Sequence, residues 1–196
     1  FDAVWPSDTL WVTLGDTGKA IRHATPVHHS PVVLALRNST ANTLGWTGRD
    51  DITLQEIREA AGEGRFRLAM PSATQSATGA ATYLGMWHSL SGTEGALTAE
   101  HLADESLRDD MRALLDRLSR TSGGSGPLTE TLVANYEAFD ALFASEAQVI
   151  TANRQLTANE VPKAMALSAQ VPEPSTLVLA ALGLISLGLG TQRLVT

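Results

Sequence analysis

The sequence contains no cysteine among its 196 residues. A disulfide framework and a thiolate zinc site are therefore excluded. Positive charge is also scarce, with 14 lysines and arginines against 21 acidic residues and a formal net charge of −7. Because an acidic chain repels phosphate backbones, no nucleic-acid partner is expected.

Several catalytic and metal-binding motifs are missing as well. His28 and His29 are adjacent, without the i, i+4 spacing of a helical metalloprotease site, so no metal is predicted. There is no Gly-x-Ser-x-Gly nucleophile elbow. Residues 121–126 are rich in glycine but lack the lysine of a phosphate-binding loop, so they are interpreted as a turn at the rim of a cleft. We expect a binding protein rather than an enzyme, and no cofactor.

Composition nevertheless predicts a folded core. Hydrophobic residues make up 43% of the chain and charged residues 18%, which suits one globular domain with an appendage. The first residue is Phe1 rather than methionine, and no signal peptide precedes it. The chain is therefore expected to be a fragment or a mature portion.

The pattern along the chain predicts an α/β fold. Three short apolar runs predict buried strands at Val32–Leu36, Arg67–Met70 and Ala141–Ala144, as neighbours in one sheet. The alternation of strands with helical patterns predicts a mostly parallel sheet with covering helices. The main helices are predicted over residues 53–61, 77–90, 97–120 (in two pieces), 127–136 and 146–156.

The loop after the central strand is the first candidate binding site. Thr74, Ser76 and Thr78 carry hydroxyls at the start of the helix over residues 77–90. The first N–H groups of a helix lack intrahelical partners, and its dipole favours negative charge there, so this loop predicts a polar or anionic ligand. The alternative is that Ser76 or Thr74 only caps the helix.

Three further residues complete the predicted site. Ser7 and Ser30 are expected to approach from the other side of the cleft. Glu146 would accept a hydrogen bond from the ligand, or equally act as a carboxylate that stabilises a helix start. The changes Ser76→Ala and Thr78→Val are expected to weaken binding with little effect on melting temperature.

The composition changes after Leu156, and residues 157–170 are predicted to be a linker. An apolar run without charge follows, from Leu177 to Gly190. It is shorter than an ordinary spanning helix and would fit a buried C-terminal helix. Its glycines and serines among leucines suit a membrane better, so a helix over about residues 175–190 is predicted to have lipid as its partner.

This tail resembles a PEP-CTERM sorting signal. The resemblance rests on Val171, Pro172, Glu173 and Pro174, then on the apolar run and on Arg193 as its basic end. It implies an exported bacterial protein, held in the membrane through Leu177–Gly190 until an exosortase cleaves near the Pro-Glu-Pro element. The protein would then lie at the cell surface or outside the cell.

Residues 1–156 resemble bacterial extracellular solute-binding proteins of the type II periplasmic fold. The resemblance is carried, in order, by residues 1–7, 30–35, 72–79 and 139–143. In that family two α/β lobes close on a solute, and a Ser/Thr loop at a helix N-terminus is among its ligands. The chain would hold most of the second lobe, followed by the linker and by the sorting segment over residues 171–196.

These features lead to one functional expectation and one alternative. The first is an exported solute-binding protein for a small or anionic solute, sorted by an exosortase. The alternative is a structural protein of the surface or extracellular matrix, with a vestigial binding lobe. A ligand that stabilises the folded protein would separate them.

Overall fold

The computed structural model describes residues 3–6, 9–25, 27, 30–158 and 168–170. In this part of the chain an α/β fold is formed, as predicted. Its helices are α1 (Thr9–Gly15), α2 (Asn38–Leu44), α3 (Leu54–Gly62), α4 (Ala77–Ser91), α5 (Ala99–Ala103), α6 (Glu105–Leu115), α7 (Ser125–Ala134) and α8 (Glu146–Ala158). Its strands are β1 (Val32–Leu36), β2 (Leu68–Pro71), β3 (Leu118–Ser122), β4 (Ala141–Ser145) and β5 (Ser168–Gln170).

The strands form one mixed sheet in the order β3-β2-β4-β1-β5. The three predicted strands, β1, β2 and β4, are neighbours in it, which confirms their placement. Strand β2 is parallel to β3 and to β4, whereas β1 is antiparallel to β4 and to β5. The prediction of a mostly parallel sheet is therefore wrong at β1. An apolar run that is buried on both faces is compatible with a parallel or an antiparallel strand. The sequence pattern therefore does not determine the orientation of β1.

Strand β3 corrects a second prediction. The helix expected to continue to Arg120 ends at Leu115, and Leu118–Ser122 form a strand instead. Leu118 lies at helical spacing from the apolar residues before it, which explains the error. Among the described strands it pairs only with β2. Its three central residues are exposed, so it lacks the apolar pattern of a buried strand.

Helices cover both faces of the sheet. On one face, Leu34, Leu68 and Phe143 pack with residues of α3, α4 and α6. On the other face, Val33 and Leu142 pack with residues of α7 and α8. Alternate residues of each strand thus enter different cores, as the twofold period of a strand requires. The central strands are buried, as predicted.

The structure also bears on the region after α8. That helix extends to Ala158, and Ser168–Gln170 form a strand, both within the stretch predicted to be a linker. The predicted apolar helix over residues 175–190 and the whole sorting element lie outside the described residues. Of the helices that the structure describes, none combines the length and the apolar character needed to cross a bilayer.

Candidate binding site at the carboxyl ends of the parallel strands

Three helices begin at the same end of the sheet. Strands β2, β3 and β4 are parallel, and each is followed by a helix start, that of α4, α7 or α8 respectively. We call this region the carboxyl rim; it comprises residues 72–78, 122–126 and 145–148. Since β1 runs antiparallel to β4, Ser30, two residues before β1, also lies at this end.

The junction between β2 and β4 is a topological switch point. Helix α4, which follows β2, contributes Met86 and Trp87 to the core on one face. Helix α8, which follows β4, contributes Val149 and Ala152 to the core on the opposite face. The chain therefore departs to opposite sides from two adjacent parallel strands. In open α/β sheets, the crevice that forms at such a point is the usual place for a ligand.

The loop after β2 is held by its own hydrogen bonds. The Ser72 N–H donates to the Ser122 carbonyl at 2.7 Å, which joins this loop to the end of β3. The Thr74 N–H donates to Ser72 Oγ at 3.3 Å, and the Ser76 N–H donates to the Ser72 carbonyl at 3.1 Å. Thr74 and Gln75 are exposed. The backbone of the loop is thus fixed. The two exposed side chains remain accessible to solvent, although Thr74 Oγ1 also lies 3.2 Å from Ser72 Oγ, within hydrogen-bond distance.

Ser76 caps α4, as the alternative interpretation proposed. Its Oγ accepts a hydrogen bond from the Gly79 N–H at 3.3 Å, and the first intrahelical bond runs from the Ala80 N–H to the Ser76 carbonyl at 2.8 Å. The N–H groups of Ala77 and Thr78 precede these bonds and have no intrahelical acceptor. The cap therefore leaves two donors at the start of the helix.

Gly79 lets α4 approach the end of β2 closely. A Cβ built on Gly79 would lie 2.3 Å from the Ser72 carbonyl oxygen and 2.6 Å from the Pro71 carbonyl oxygen. Both contacts are with backbone atoms, which cannot rotate away. Glycine is required here because of this close approach, so that the helix start lies directly against the loop.

Thr78 connects α4 to α7. The hydroxyl of Ser125, which is 5% exposed, donates to Thr78 Oγ1 at 3.4 Å. A Cβ on Gly123 would lie 2.9 Å from Gln75 Oε1, so the loop before α7 also packs against the loop after β2. Ser125 and Gln75 were not among the site residues predicted from the sequence. Ser125 lies in the glycine-rich stretch of residues 121–126, which was interpreted as a turn at a cleft rim. That pattern could have indicated that Ser125 lies near the site.

Ser30 and Ser145 both bind the start of α8. Ser30 Oγ accepts a hydrogen bond from the Ala147 N–H at 3.2 Å. Ser145 Oγ accepts from the Gln148 N–H at 3.4 Å, while Gln148 Oε1 accepts from the Ser145 N–H at 3.3 Å. Ser30 thus reaches the predicted region, but its oxygen serves the helix. The carboxylate of Glu146 is exposed at the first residue of α8, which fits its helix-start role.

The structure therefore brings together most of the predicted site. Five of the six residues lie at the carboxyl rim, or beside it in the case of Ser30: Ser30, Thr74, Ser76, Thr78 and Glu146. Ser7 lies outside the described residues. Two of the expectations on variants are corrected, because Ser76 caps α4 and Thr78 pairs with a buried hydroxyl. Replacing either side chain will cost stability as well as change the site.

The carboxyl rim is almost free of charged side chains. The sequence has no Asp, Glu, Lys or Arg between residues 68 and 93, or between residues 121 and 129. Glu146 is the rim's charged residue. Its remaining polar groups are hydroxyls, amides and backbone N–H groups. In the part of the chain that is described, no three His, Asp or Glu side chains are grouped so that they could hold a metal ion.

Comparison with known proteins identifies the tail. Residues 170–193 match the family model of the PEP-CTERM protein-sorting motif. This match includes Val171–Pro174 and Arg193, and it agrees with the resemblance seen in the sequence. No curated protein and no solved structure matches the chain, so the resemblance to solute-binding proteins gains no support from these comparisons. The sorting motif implies that this protein is exported and sorted in the cell envelope by an exosortase.

Proposed function

We propose that this protein is an exported solute-binding protein, and that the solute binds at the carboxyl rim beside the junction of β2 and β4. The observation that carries the proposal is the convergence of three helix N-termini, each lined by hydroxyl side chains, at one end of the sheet. Helix N-termini offer unpaired N–H groups and the positive end of a dipole. The switch point provides the crevice.

The chemistry of the rim favours a small polar or anionic solute. The donors are the N–H groups of Ala77 and Thr78 together with the exposed side chains of Thr74 and Gln75. Because no arginine or lysine lies on these loops, the negative charge of a ligand would be met by helix dipoles and hydrogen bonds. Glu146 favours a solute that also carries a donor, such as a hydroxyl or an ammonium group.

The sorting segment supplies the second half of the proposal. Val171–Pro174 would be the element that the exosortase recognises, and Leu177–Gly190 would hold the precursor in the membrane. Arg193 would be the basic end of the signal. The motif match over residues 170–193 supports these roles. After processing, the domain would lie at the cell surface or in the medium.

We propose binding rather than catalysis, and two of the described histidines, His88 and His101, make their contacts away from the rim. His88 lies near the end of α4, where its Nε2 is 2.9 Å from the Gly95 carbonyl oxygen. His101 Nδ1 accepts from the Thr98 N–H at 3.1 Å and caps α5. Neither His88 nor His101 is therefore placed to act as the base that a serine or threonine nucleophile at the rim requires.

A thermal-shift screen tests the proposal directly. The purified full chain, kept in a mild detergent, is heated with phosphate, sulfate, simple sugars and amino acids in separate assays. A solute that binds the native state raises the melting temperature, since at 100 times its Kd it adds about 2.7 kcal/mol of stability. At least one of these classes is expected to do so.

A matched pair of threonine variants then locates the site. Thr74→Val removes an exposed hydroxyl at the rim, and Thr43→Val removes an exposed hydroxyl on α2. Losing one hydrogen bond to a charged ligand weakens binding by about 10- to 150-fold. That loss is expected for Thr74→Val and not for Thr43→Val. Equal affinities in both variants would place the site elsewhere.

The structural alternative makes the opposite prediction. A surface or matrix protein with a vestigial lobe requires the sorting segment but no solute. If none of the compound classes raises the melting temperature, while deletion of the sorting segment abolishes surface localisation, this alternative replaces the binding proposal.

A further inference from the structure

Two histidines hold the loop between α4 and α5, which comprises residues 92–98 and is called the α4–α5 loop below. In the middle of this loop, the Gly95 carbonyl oxygen lies 2.9 Å from His88 Nε2. At its end, the Thr98 N–H donates to His101 Nδ1 at 3.1 Å. The loop is thus attached by one imidazole ring to the helix before it and by another to the helix after it.

The contacts of His88 require a neutral ring. A carbonyl oxygen can only accept a hydrogen bond, so Nε2 carries the proton and donates to Gly95. His88 is 6% exposed, and its Nδ1 is buried without a hydrogen-bond partner among the described residues. A proton on Nδ1 would therefore create a buried donor without an acceptor, and it would also place an unpaired charge in the interior. Both changes are costly.

The contacts of His101 require a neutral ring for a different reason. The backbone N–H of Thr98 can only donate, so Nδ1 must be the unprotonated nitrogen of the ring. Together with the bond from the His101 N–H to Thr98 Oγ1, this contact forms a capping box at α5. A proton on Nδ1 removes the acceptor. It also places positive charge at a helix start, where the dipole disfavours it.

The surroundings of His88 offer no compensation for a positive charge. Helix α4 packs mainly on β1, β2 and β4, which carry no charged residue, and on α3 and α6. Arg58 of α3 and Asp110 of α6 pair with each other, and none of the charged side chains of these two helices is buried. Glu94, within the loop, is exposed. A protonated His88 regains its hydration only when the loop opens to water.

The surroundings of His101 are acidic. Glu100 precedes it in α5, and Asp104 and Glu105 follow at the start of α6, on which α5 packs. Arg108 lies one turn further along α6, and all four of these side chains are exposed. Nearby carboxylates favour a protonated imidazole. They therefore oppose the neutral ring that the capping box requires.

We propose that His88 and His101 form an acid-sensitive clasp on the α4–α5 loop. The loop is closed while both rings are neutral, and a proton on either ring breaks the contact of that ring. Histidine is the side chain whose charge ordinarily changes between about pH 5 and pH 8. Because the closed loop excludes the added protons and the open loop takes them up, acid favours opening, and the loop closes again as the pH rises.

The clasp controls the exposure of one part of the core. Leu90 and Leu97 are half-buried and pack against the core that contains Trp87. Opening of the loop withdraws Leu97 from this contact and exposes apolar surface at the end of α4 that lies away from the carboxyl rim. The protein would thus change one local surface with the acidity of its surroundings while its sheet stays folded.

Hydrogen exchange of the full chain, kept in a mild detergent at pH 7.5 and at pH 5.5, tests the proposal. Mass spectrometry gives protection factors, corrected for the intrinsic effect of pH on exchange, for residues 92–104 and for β1. Each proton taken up on opening favours the open loop by up to about 10-fold per pH unit. The protection of residues 92–104 is therefore expected to fall by about 10-fold at pH 5.5, while that of β1 stays unchanged.

Glutamine variants separate the clasp from other effects of acid. Glutamine in place of His101 can accept the Thr98 N–H in a capping box, and in place of His88 its amide can donate to the Gly95 carbonyl oxygen. Neither amide titrates. His88→Gln and His101→Gln are each expected to weaken the acid effect, and the double variant is expected to abolish it. His23 is present in every variant, so it cannot cause a difference between them.

Each result bears on the proposal. Equal protection of the parent loop at the two pH values would overturn it, whatever the variants show. An acid effect of parental size in the double variant would also overturn it, and an equal loss of protection in β1 would show global unfolding instead of a local clasp. If melting curves at pH 7.5 show that one variant is unfolded, the other single variant decides, because its acid effect must be smaller than that of the parent.

Discussion

Asp140 binds both the backbone and the side chain of Arg67. Asp140 Oδ2 accepts hydrogen bonds from the Arg67 N–H at 2.9 Å and from Arg67 Nε at 3.0 Å. The same carboxylate accepts from Arg37 at 3.0 Å, and Arg37 also lies over the ring of Tyr136, 4.3 Å from its centroid. These contacts join the amino ends of β2 and β4 to the end of β1.

Replacing Asp140 with asparagine should therefore destabilise the fold. The Asp140 side chain is 17% exposed and the Arg37 side chain 12% exposed. Water therefore has little access to these groups and cannot compensate for the loss of the carboxylate charge. We expect the free energy of unfolding to fall by about 2 kcal/mol, the usual value of hydrogen bonds to a charged group. Glu137→Gln serves as the control, because Glu137 is 72% exposed and its pair should contribute less than about 1 kcal/mol. Urea denaturation at pH 7 measures both values.

The same carboxylate should make the free energy of unfolding depend on pH in the acidic range. Burial raises the pKa of Asp140, but the side-chain and backbone hydrogen bonds from Arg67 outweigh it, so the pKa lies below its ordinary value. Because the pKa is lower in the folded state, the stabilisation is fully present above the unfolded pKa of about 4 and is lost as the pH falls through the folded pKa. Between pH 5 and pH 2, Asp140→Asn should lose less stability than the parent. Parallel losses would contradict this assignment.

The close approach at Gly79 gives a second test of the fold around the site. Gly79→Ala should lower the free energy of unfolding by about 1–3 kcal/mol or more, because the added Cβ meets two backbone carbonyls. Gly62→Ala, at the end of α3, is the matched control, since a Cβ there meets no atom within 4 Å. It should be neutral or slightly stabilising. Thermal melts of the two variants will compare them, and equal effects would refute the close approach.

The hydroxyls at the start of α4 should affect stability in different ways. Ser76→Ala removes the cap and should cost about 1 kcal/mol, whereas Ser76→Gly should cost only a few tenths. Thr78→Val leaves the buried Ser125 hydroxyl without its partner, which should cost about 1–3 kcal/mol. A double variant that also carries Ser125→Ala should recover part of that loss. If it recovers none, the two hydroxyls are not coupled.

The sorting segment should control where the protein is found. We expect the chain with residues 171–196 to fractionate with membranes when it is made in cells without an exosortase. A chain that ends at Gln170 should fractionate as a soluble protein, because the apolar run is then absent. The replacement of Pro172 and Pro174 by alanine should leave membrane association intact and block release by the exosortase. Equal solubility of the long and short chains would exclude the anchor.

Much of the fold was predictable because its central strands are buried on both faces. Such strands appear as continuous apolar runs, and β1, β2 and β4 were located from them. Two features were not predictable in the same way. The direction of β1 is decided by its pairing with β4. Strand β3 is an exposed edge strand of mostly polar residues, and its first residue, Leu118, lies at helical spacing from the apolar residues of α6.

The candidate site was predictable only where it is local in sequence. The cap at Ser76 and the hydroxyls around it lie within a few residues of one another. The contact between Ser125 and Thr78 spans 47 positions, and the bond from Ala147 to Ser30 spans 117. A single sequence gives no signal for such pairs, because only the folded sheet brings the helix starts together.

Strand β5 also has a consequence for self-association. It covers the outer backbone of β1 along Leu34, Ala35 and Leu36, which are fully buried. A chain cut before Ser168 would expose this apolar strand as an open sheet edge, and open edges of this kind recruit strands from other molecules. We expect such a chain to form concentration-dependent oligomers in analytical ultracentrifugation, and a chain ending at Gln170 to stay monomeric. A proteolytic cut upstream of β5 would therefore turn a monomeric protein into an aggregating one.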